Sequence, residues 1–223
     1  MEAKDVPSEK PAGEKSAQDR PRGELLGFPM KGERNQNPPE LSFLALLLED
    51  LRTHESPFAH GFVAMAVHRF ANWRMGLPKW LRPPFTVLFE ILNVCVFWTA
   101  RIEIPYVTKM GRRVRFWHHG GCVVGALYVG DDVQFRHNVT VGLAHHGAPL
   151  TTVPIIEDRV IVGAGACILG PITVGHDSVI AANAVVTIDV PPYSLVAGIP
   201  GKVIRKLEER ERLTTVRIKE GVA

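Results

Sequence analysis

The sequence predicts a mainly β protein, a parallel β-helix preceded by an α-helical region, and three observations carry that prediction. Ile156, Val162, Ile168, Val174, Ile180 and Val186 recur six positions apart. Gly or Ala often follows the aliphatic residue, as in Val162-Gly163, Val174-Gly175 and Ile180-Ala181. Small or apolar residues recur four positions on, at Val160, Ala166, Ile172, Ser178 and Ala184. A period of six fits neither the 3.6 of a helix nor the 2 of a flat strand. It is the hexapeptide signature of a chain wound as a triangular prism, each hexad supplying one short strand and one corner.

Residues 1 to 40 are rich in Lys, Glu, Pro, Gly and Ser and lack apolar clusters, so they bury too little to offset the entropy of ordering and read as a disordered tail. They carry no apolar run of a secretory signal, and the expectation is a cytoplasmic protein. From Leu41 to Arg101 the spacing turns helical, through Leu44, Leu47, Leu48 and Leu51, then Phe62, Met65, Ala66, Arg69, Phe70 and Trp73. Pro78, Pro83 and Pro84 punctuate this region, which predicts about three helices, the last over residues 85–100. That last stretch, FTVLFEILNVCVFWTA, is sixteen residues long with Glu90 inside it. It falls short of the about 20 residues a span needs and reads as a helix packed at a subunit interface.

The prism is expected over residues 102–204. Its period runs back through Ile104, Met110, Phe116 and Cys122, then, after a one-residue insertion, Val129, Phe135 and Val141. With three hexads to a coil, residues 104–142 give about two coils and 156–190 about two more. The segment 143–154 does not repeat and reads as a loop, and residues 205–223 form a C-terminal tail or helix. A sandwich would need strict alternation and turn signals every eight to twelve residues, which are absent.

The charge balance of 26 Lys and Arg against 23 Asp and Glu gives +3, which excludes a basic nucleic-acid footprint. Cys95, Cys122 and Cys167 sit among apolar neighbours with no CxxC spacing, and read as reduced core residues and neither disulfides nor metal ligands.

His118 and His119, in the run FWHHGG, occupy a corner where a scaffold would more often carry Gly, Asn or Asp. Glu103 lies one coil below on the face that this corner opens. An imidazole with an ordinary pKa of about 6.5 suits a general base, and a carboxylate on its other nitrogen would orient it and favour the imidazolium.

The runs IEIPYVTKMGRRVRFWHHGGCVVG, VTVG, GAGACILGPITVG and VPPYSLVAGIPGKVI, with EDLRTHE and VAMAVHRFANW in the helices, resemble the serine acetyltransferases over most of residues 49–206. These are trimer-forming acyltransferases of the hexapeptide-repeat, left-handed parallel β-helix class. The resemblance implies direct transfer of acetyl from acetyl-CoA, without metal, to the hydroxyl of L-serine, giving O-acetylserine for cysteine biosynthesis. It implies a homotrimer, with dimers of trimers as the second arrangement. It makes His118 the catalytic base and Glu103 its orienting carboxylate, and matches Asp50 to an aspartate that contacts the serine amino group. It puts Gly142, Leu143, Ala164 and Ala182 in the pantetheine groove, with Lys202 and Arg205 facing CoA phosphates.

Two departures touch the acceptor. The family's aspartate before the catalytic histidine is Trp117 here, and its Arg-His pair that binds the serine carboxylate is Thr152 and Val153. His145 and His146, in the loop, are candidates to replace those contacts from a neighbouring subunit. Trp117 would instead suit a saccharide or polysaccharide precursor as a stacking surface, which is the alternative acceptor. Two remoter alternatives are a zinc-dependent carbonic anhydrase built on His118, His137 and a loop histidine, and a non-enzymatic scaffold.

Overall fold

Short strands of two to five residues stack one above another into three sheets, and the stacking follows directly from the six-residue period. The computed structural model describes residues 34–118, 120–145, 147–149 and 151–208. Helices α1 (Phe43–His54), α2 (His60–Met75) and α3 (Arg82–Ala100) come first, with a 3-10 turn at Lys79–Leu81. One sheet holds β1 (Ile102–Glu103), β4 (Cys122–Val124), β7 (Thr140–Gly142), β10 (Cys167–Leu169) and β13 (Val185–Val186). The second holds β2 (Lys109–Met110), β5 (Tyr128–Val129), β8 (Ile155–Ile156) and β11 (Thr173–Val174). The third holds β3 (Arg115–Phe116), β6 (Gln134–Phe135), β9 (Ile161–Val162), β12 (Val179–Ile180), β14 (Ser194–Ala197) and β15 (Lys202–Lys206). All pairings are parallel except β14 with β15, which closes the upper edge antiparallel.

The register stacks the predicted aliphatic positions into the core. Val141 pairs with Ile168 and Ile168 with Val186, Val129 with Ile156 and Ile156 with Val174, Phe135 with Val162 and Val162 with Ile180. Each of these residues is fully buried. At the lower end the rings of Phe116 and Phe135 stack at 5.2 Å between centroids.

Cys122 departs from its expected position. It is buried, but it pairs with Ile102, and the residue in the column with Val141 is Val124. The corner from Phe116 to Val124 is eight positions long where the next, Phe135 to Val141, is six. Two extra residues therefore enter at the His118 corner, and a shorter step to Val129 restores the register. Ile104 is only partly buried against the core.

The helices close the lower end of the prism. Helix α1 starts at Ser42, whose hydroxyl accepts from the Ala45 N–H. Helix α3 starts three residues before the expected 85, because Pro83 and Pro84 occupy its first turn, where a missing N–H costs nothing. Arg69 of α2 is fully buried and donates to Asp50 Oδ2 at 2.9 Å and to the carbonyls of Met110 and Gly111 at 2.9 and 2.6 Å. Glu49 of α1 accepts from Arg112 at 2.6 and 3.0 Å, and the Arg112 partnership holds its carboxyl below the usual range.

The expected disordered tail lies outside the described residues as far as 33. Residues 36–38 are packed, with their neighbours on both sides exposed: Gln36 is buried, its N–H donating to Asn72 Oδ1, and the Asn37 side chain donates to the Arg69 carbonyl. Residues 205 and 206 belong to β15, and the rest of the expected C-terminal segment lies outside the described residues beyond 208.

Helix α3 buries only Phe89, Val96 and Ala100 and exposes Val87, Leu88, Ile91, Val94, Phe97 and Trp98. With its leading turn, Lys79–Ala100 is 22 residues long, more than the sixteen read from the sequence, and passes for a membrane span by length and composition alone. Cys95 lies on this helix and is exposed, not a core residue as expected, because it faces away from α2 and the prism.

Candidate active site

His118 sits at the corner between the third and first sheets, exposed, with φ at +66°. Left-handed backbone is uncommon outside glycine, though histidine, asparagine and aspartate adopt it more than most. The corresponding corners of the coils above use Asn138, Gly165 and Asn183 for that conformation, each one position later in register. In this longer corner the left-handed position falls on an exposed histidine. His118 faces His137, one coil up, with ring centroids 5.8 Å apart, and the buried Nδ1 of His137 has no hydrogen-bond partner.

The register continues this column through Ala164 and Ala182. It is tied by the Gly165 N–H donating to the His137 carbonyl at 3.0 Å and the Asn183 N–H to the Ala164 carbonyl at 2.8 Å. Gly163, beside Ala164, must be glycine: a Cβ there would stand 2.5 Å from the Ala182 nitrogen. Gly142 and Leu143 belong to a different corner, between the first and second sheets, where the loop also departs. A Cβ on Gly142 would meet nothing within 4 Å, so its face is open. Lys202 and Arg205 are exposed on β15 at the upper end.

Glu103 lines a cleft of about 400 Å³ with Phe97, Trp98, Arg101, Gly120, Gly121, Cys122, Val123 and Asn138. Gly120 and Gly121 belong to the His118 corner, so base and carboxylate share one end of the molecule. Among the described residues no hydrogen bond or ion pair joins Glu103 to His118. His119 and His146 lie outside the described residues. His145 is exposed in the loop at the other corner, and within one chain it is not brought to His118. Among the described residues no three His, Cys, Asp or Glu side chains gather as a metal site.

Asp50 does not line this site. It is fully buried under the prism, and its Oδ2 is engaged by Arg69. The physical reason is the clamp: three donors of Arg69 need acceptors in a dry interface, and Asp50 supplies the charged one. Beside it, His54 accepts from the Phe116 N–H at Nε2, 3.3 Å away. Its Nδ1 lies 2.8 Å from the Asp50 carbonyl, which can only accept, so Nδ1 carries the proton and Nε2 the lone pair. Burial pushes the His54 imidazole down, which keeps that neutral form.

Around Trp117 the structure assembles residues that the sequence did not single out. The Arg115 guanidinium lies 3.7 Å from the indole centroid and that of Arg136 4.9 Å. The indole N–H donates to Gln134 Oε1 at 2.8 Å. Arg115 also pairs with Glu55 at 3.0 Å. The signal was present in the outward positions flanking Phe116 and Phe135, but reading it needs the coil register. Where the family's cations are expected, Thr152 donates its hydroxyl to the Pro149 carbonyl at 2.6 Å.

Residues 154–187 match the hexapeptide repeat of succinyl-transferase. A serine acetyltransferase of Bacillus licheniformis is 32% identical over 170 residues, which cover 73% of this chain and 78% of that protein. The chain belongs to the serine acetyltransferase family. The serine acetyltransferase of Mycobacterium tuberculosis is 48% identical over 148 residues, 65% of this chain and 60% of that one, so the chain spans less than two thirds of that relative's length. A soybean serine acetyltransferase solved in complex with serine has a TM-score of 0.62 and 29% identity, covering 73% of this chain and 70% of that one. The fold is accordingly the left-handed parallel β-helix of this family, with helices before it.

Proposed function

We propose that the protein is an acetyl-CoA-dependent O-acetyltransferase acting on the hydroxyl of L-serine, with His118 as general base. The observation that carries this reading is the outward, left-handed His118 at the foot of a column whose upper members, Ala164 and Ala182, are small. Such a column leaves room for the pantetheine arm along the prism, and its corner backbone offers polar groups to it. In the reaction His118 takes the hydroxyl proton as the oxygen attacks the thioester carbonyl. The tetrahedral intermediate then expels the CoA thiolate, which takes the proton from the imidazolium. Glu103, across Gly120 and Gly121, is the orienting carboxylate in this reading. No cysteine is needed as a nucleophile.

The open face of Gly142 and the exposed apolar face of α3 support a homotrimer in which cofactor contacts come from two subunits. This reading also places the enzyme in the cytoplasm, where the thiols of Cys95, Cys122 and Cys167 stay reduced. A saccharide acceptor is less favoured, since two guanidiniums already lie over the Trp117 ring that would stack on it. Thiol release from acetyl-CoA, measured against L-serine, other hydroxy amino acids and sugars, tests the reading. Saturable turnover with L-serine supports it, and turnover with sugars alone overturns it.

A further inference from the structure

We infer that Arg136, held on the Trp117 indole, is the cation that binds the acceptor's carboxylate. This rests on the proposed function and deepens it, since a zwitterionic hydroxy acid needs a cation placed near the base. Arg136 follows Phe135 as Trp117 follows Phe116, one coil apart in register, so both point outward on the same face. Each immediately precedes a histidine of the His118–His137 pair, whose rings lie 5.8 Å apart. The cation is thus built into the corner that carries the base.

The charges distinguish the two arginines on the ring. Arg115 stands 3.7 Å from the indole centroid and its charge is offset by Glu55 at 3.0 Å. Arg136 stands 4.9 Å from the same centroid, and among the described residues no carboxylate pairs with it. Two like charges on one ring repel, and only one has a counter-ion from the protein. A guanidinium without a protein carboxylate suits an anion, and its planar fork takes a carboxylate through two parallel hydrogen bonds. The indole is fixed in turn by its N–H bond to Gln134, which is buried. Arg136 therefore rests on a rigid platform and loses little freedom on binding.

The test compares kcat/KM for L-serine and L-serinamide, which keeps the hydroxyl and amine but lacks the carboxylate. In Arg136→Gln the KM for L-serine rises about 10- to 100-fold, the magnitude of one lost charge-assisted pair, while the KM for acetyl-CoA stays within about twofold. The preference for serine over serinamide collapses toward unity. Arg136→Lys restores only part of it, because the two-point geometry is lost. Arg101→Gln, at an arginine lining the neighbouring cleft, leaves the preference intact. A wild-type preference that survives Arg136→Gln, or that disappears in Arg101→Gln instead, overturns the inference alone. A wild-type protein that acetylates serinamide as well as serine also overturns it. Absence of serine turnover in the wild type overturns the proposed function, and the inference falls with it.

Discussion

At the residue scale the proposed chemistry concentrates on one corner. If His118 takes the hydroxyl proton, His118→Ala lowers kcat by about 100-fold or more, with acetyl-CoA binding measured by calorimetry little changed. Turnover close to wild type in that variant removes His118 from the mechanism. Glu103 bears a different prediction. Glu103→Gln keeps the size and removes the charge, so kcat falls with the melting temperature intact, whereas Glu103→Asp retains much of the activity. Equal rates for the Glu and Gln enzymes from about pH 6 to 9 leave Glu103 a purely structural part. The exposed corner position of His118 was legible in the sequence, because a histidine pair broke the composition expected of a corner. The burial of Asp50 and the closeness of Arg136 to Trp117 were not legible for one reason: burial under the prism and neighbourhood across coils are properties of register. That register contains a two-residue expansion at this very corner, which the aliphatic period could not locate once Cys122 offered itself as the next core position.

At the element scale the helical cap is joined to the prism by polar groups taken out of water. Breaking one side of a buried pair leaves the other charge uncompensated, so Arg69→Met should cost about 3 to 5 kcal/mol. The double variant Arg69→Met, Asp50→Asn recovers part of that loss in denaturant unfolding; an Arg69→Met protein as stable as wild type contradicts the clamp. His68 sets the acid limit of the same interface. It is fully enclosed, its Nε2 donates to the Thr108 carbonyl at 3.1 Å, and burial, aided by the Arg69 charge, holds its pKa at about 3 against an ordinary 6.5. The unfolded chain binds a proton here below about pH 6.5 and the folded one does not until about pH 3, so stability is complete above that window and is lost as pH falls through it. One such group contributes up to about 5 kcal/mol of that loss. His68→Gln, which keeps a donor for Thr108, flattens stability against pH between about 6.5 and 3; an unchanged slope rules His68 out. The three helices were legible from apolar spacing and the prolines, but the polar clamp was not: that Asp50, Arg69, His54 and His68 are buried and partnered shows only when the prism is set against the helices.

At the scale of the whole molecule one chain separates residues that the proposed reaction needs together. The column of His118, His137, Ala164 and Ala182 runs up one corner, while Gly142, Leu143 and the loop occupy another. A threefold assembly sets such corners of adjacent prisms face to face, and the apolar side of α3, through Ile91, Val94 and Trp98, is the surface left for copies to cover. Light scattering should therefore give a trimer, and Ile91→Asp should weaken assembly and activity together. The decisive experiment uses Gly142. Because a side chain built there meets nothing of its own chain, Gly142→Phe should fold normally and yet obstruct whatever lies against that face from a neighbour. Alone it is inactive, and so is His118→Ala. When the two are unfolded together and reassembled, some interfaces bring an intact His118 corner from one subunit to an intact Gly142 from the next. Random mixing makes about a quarter of all sites of that kind, so about a quarter of wild-type turnover returns. If each site were complete within one subunit, no mixture of the two variants would contain a working one, and activity would stay at the level of the separate proteins.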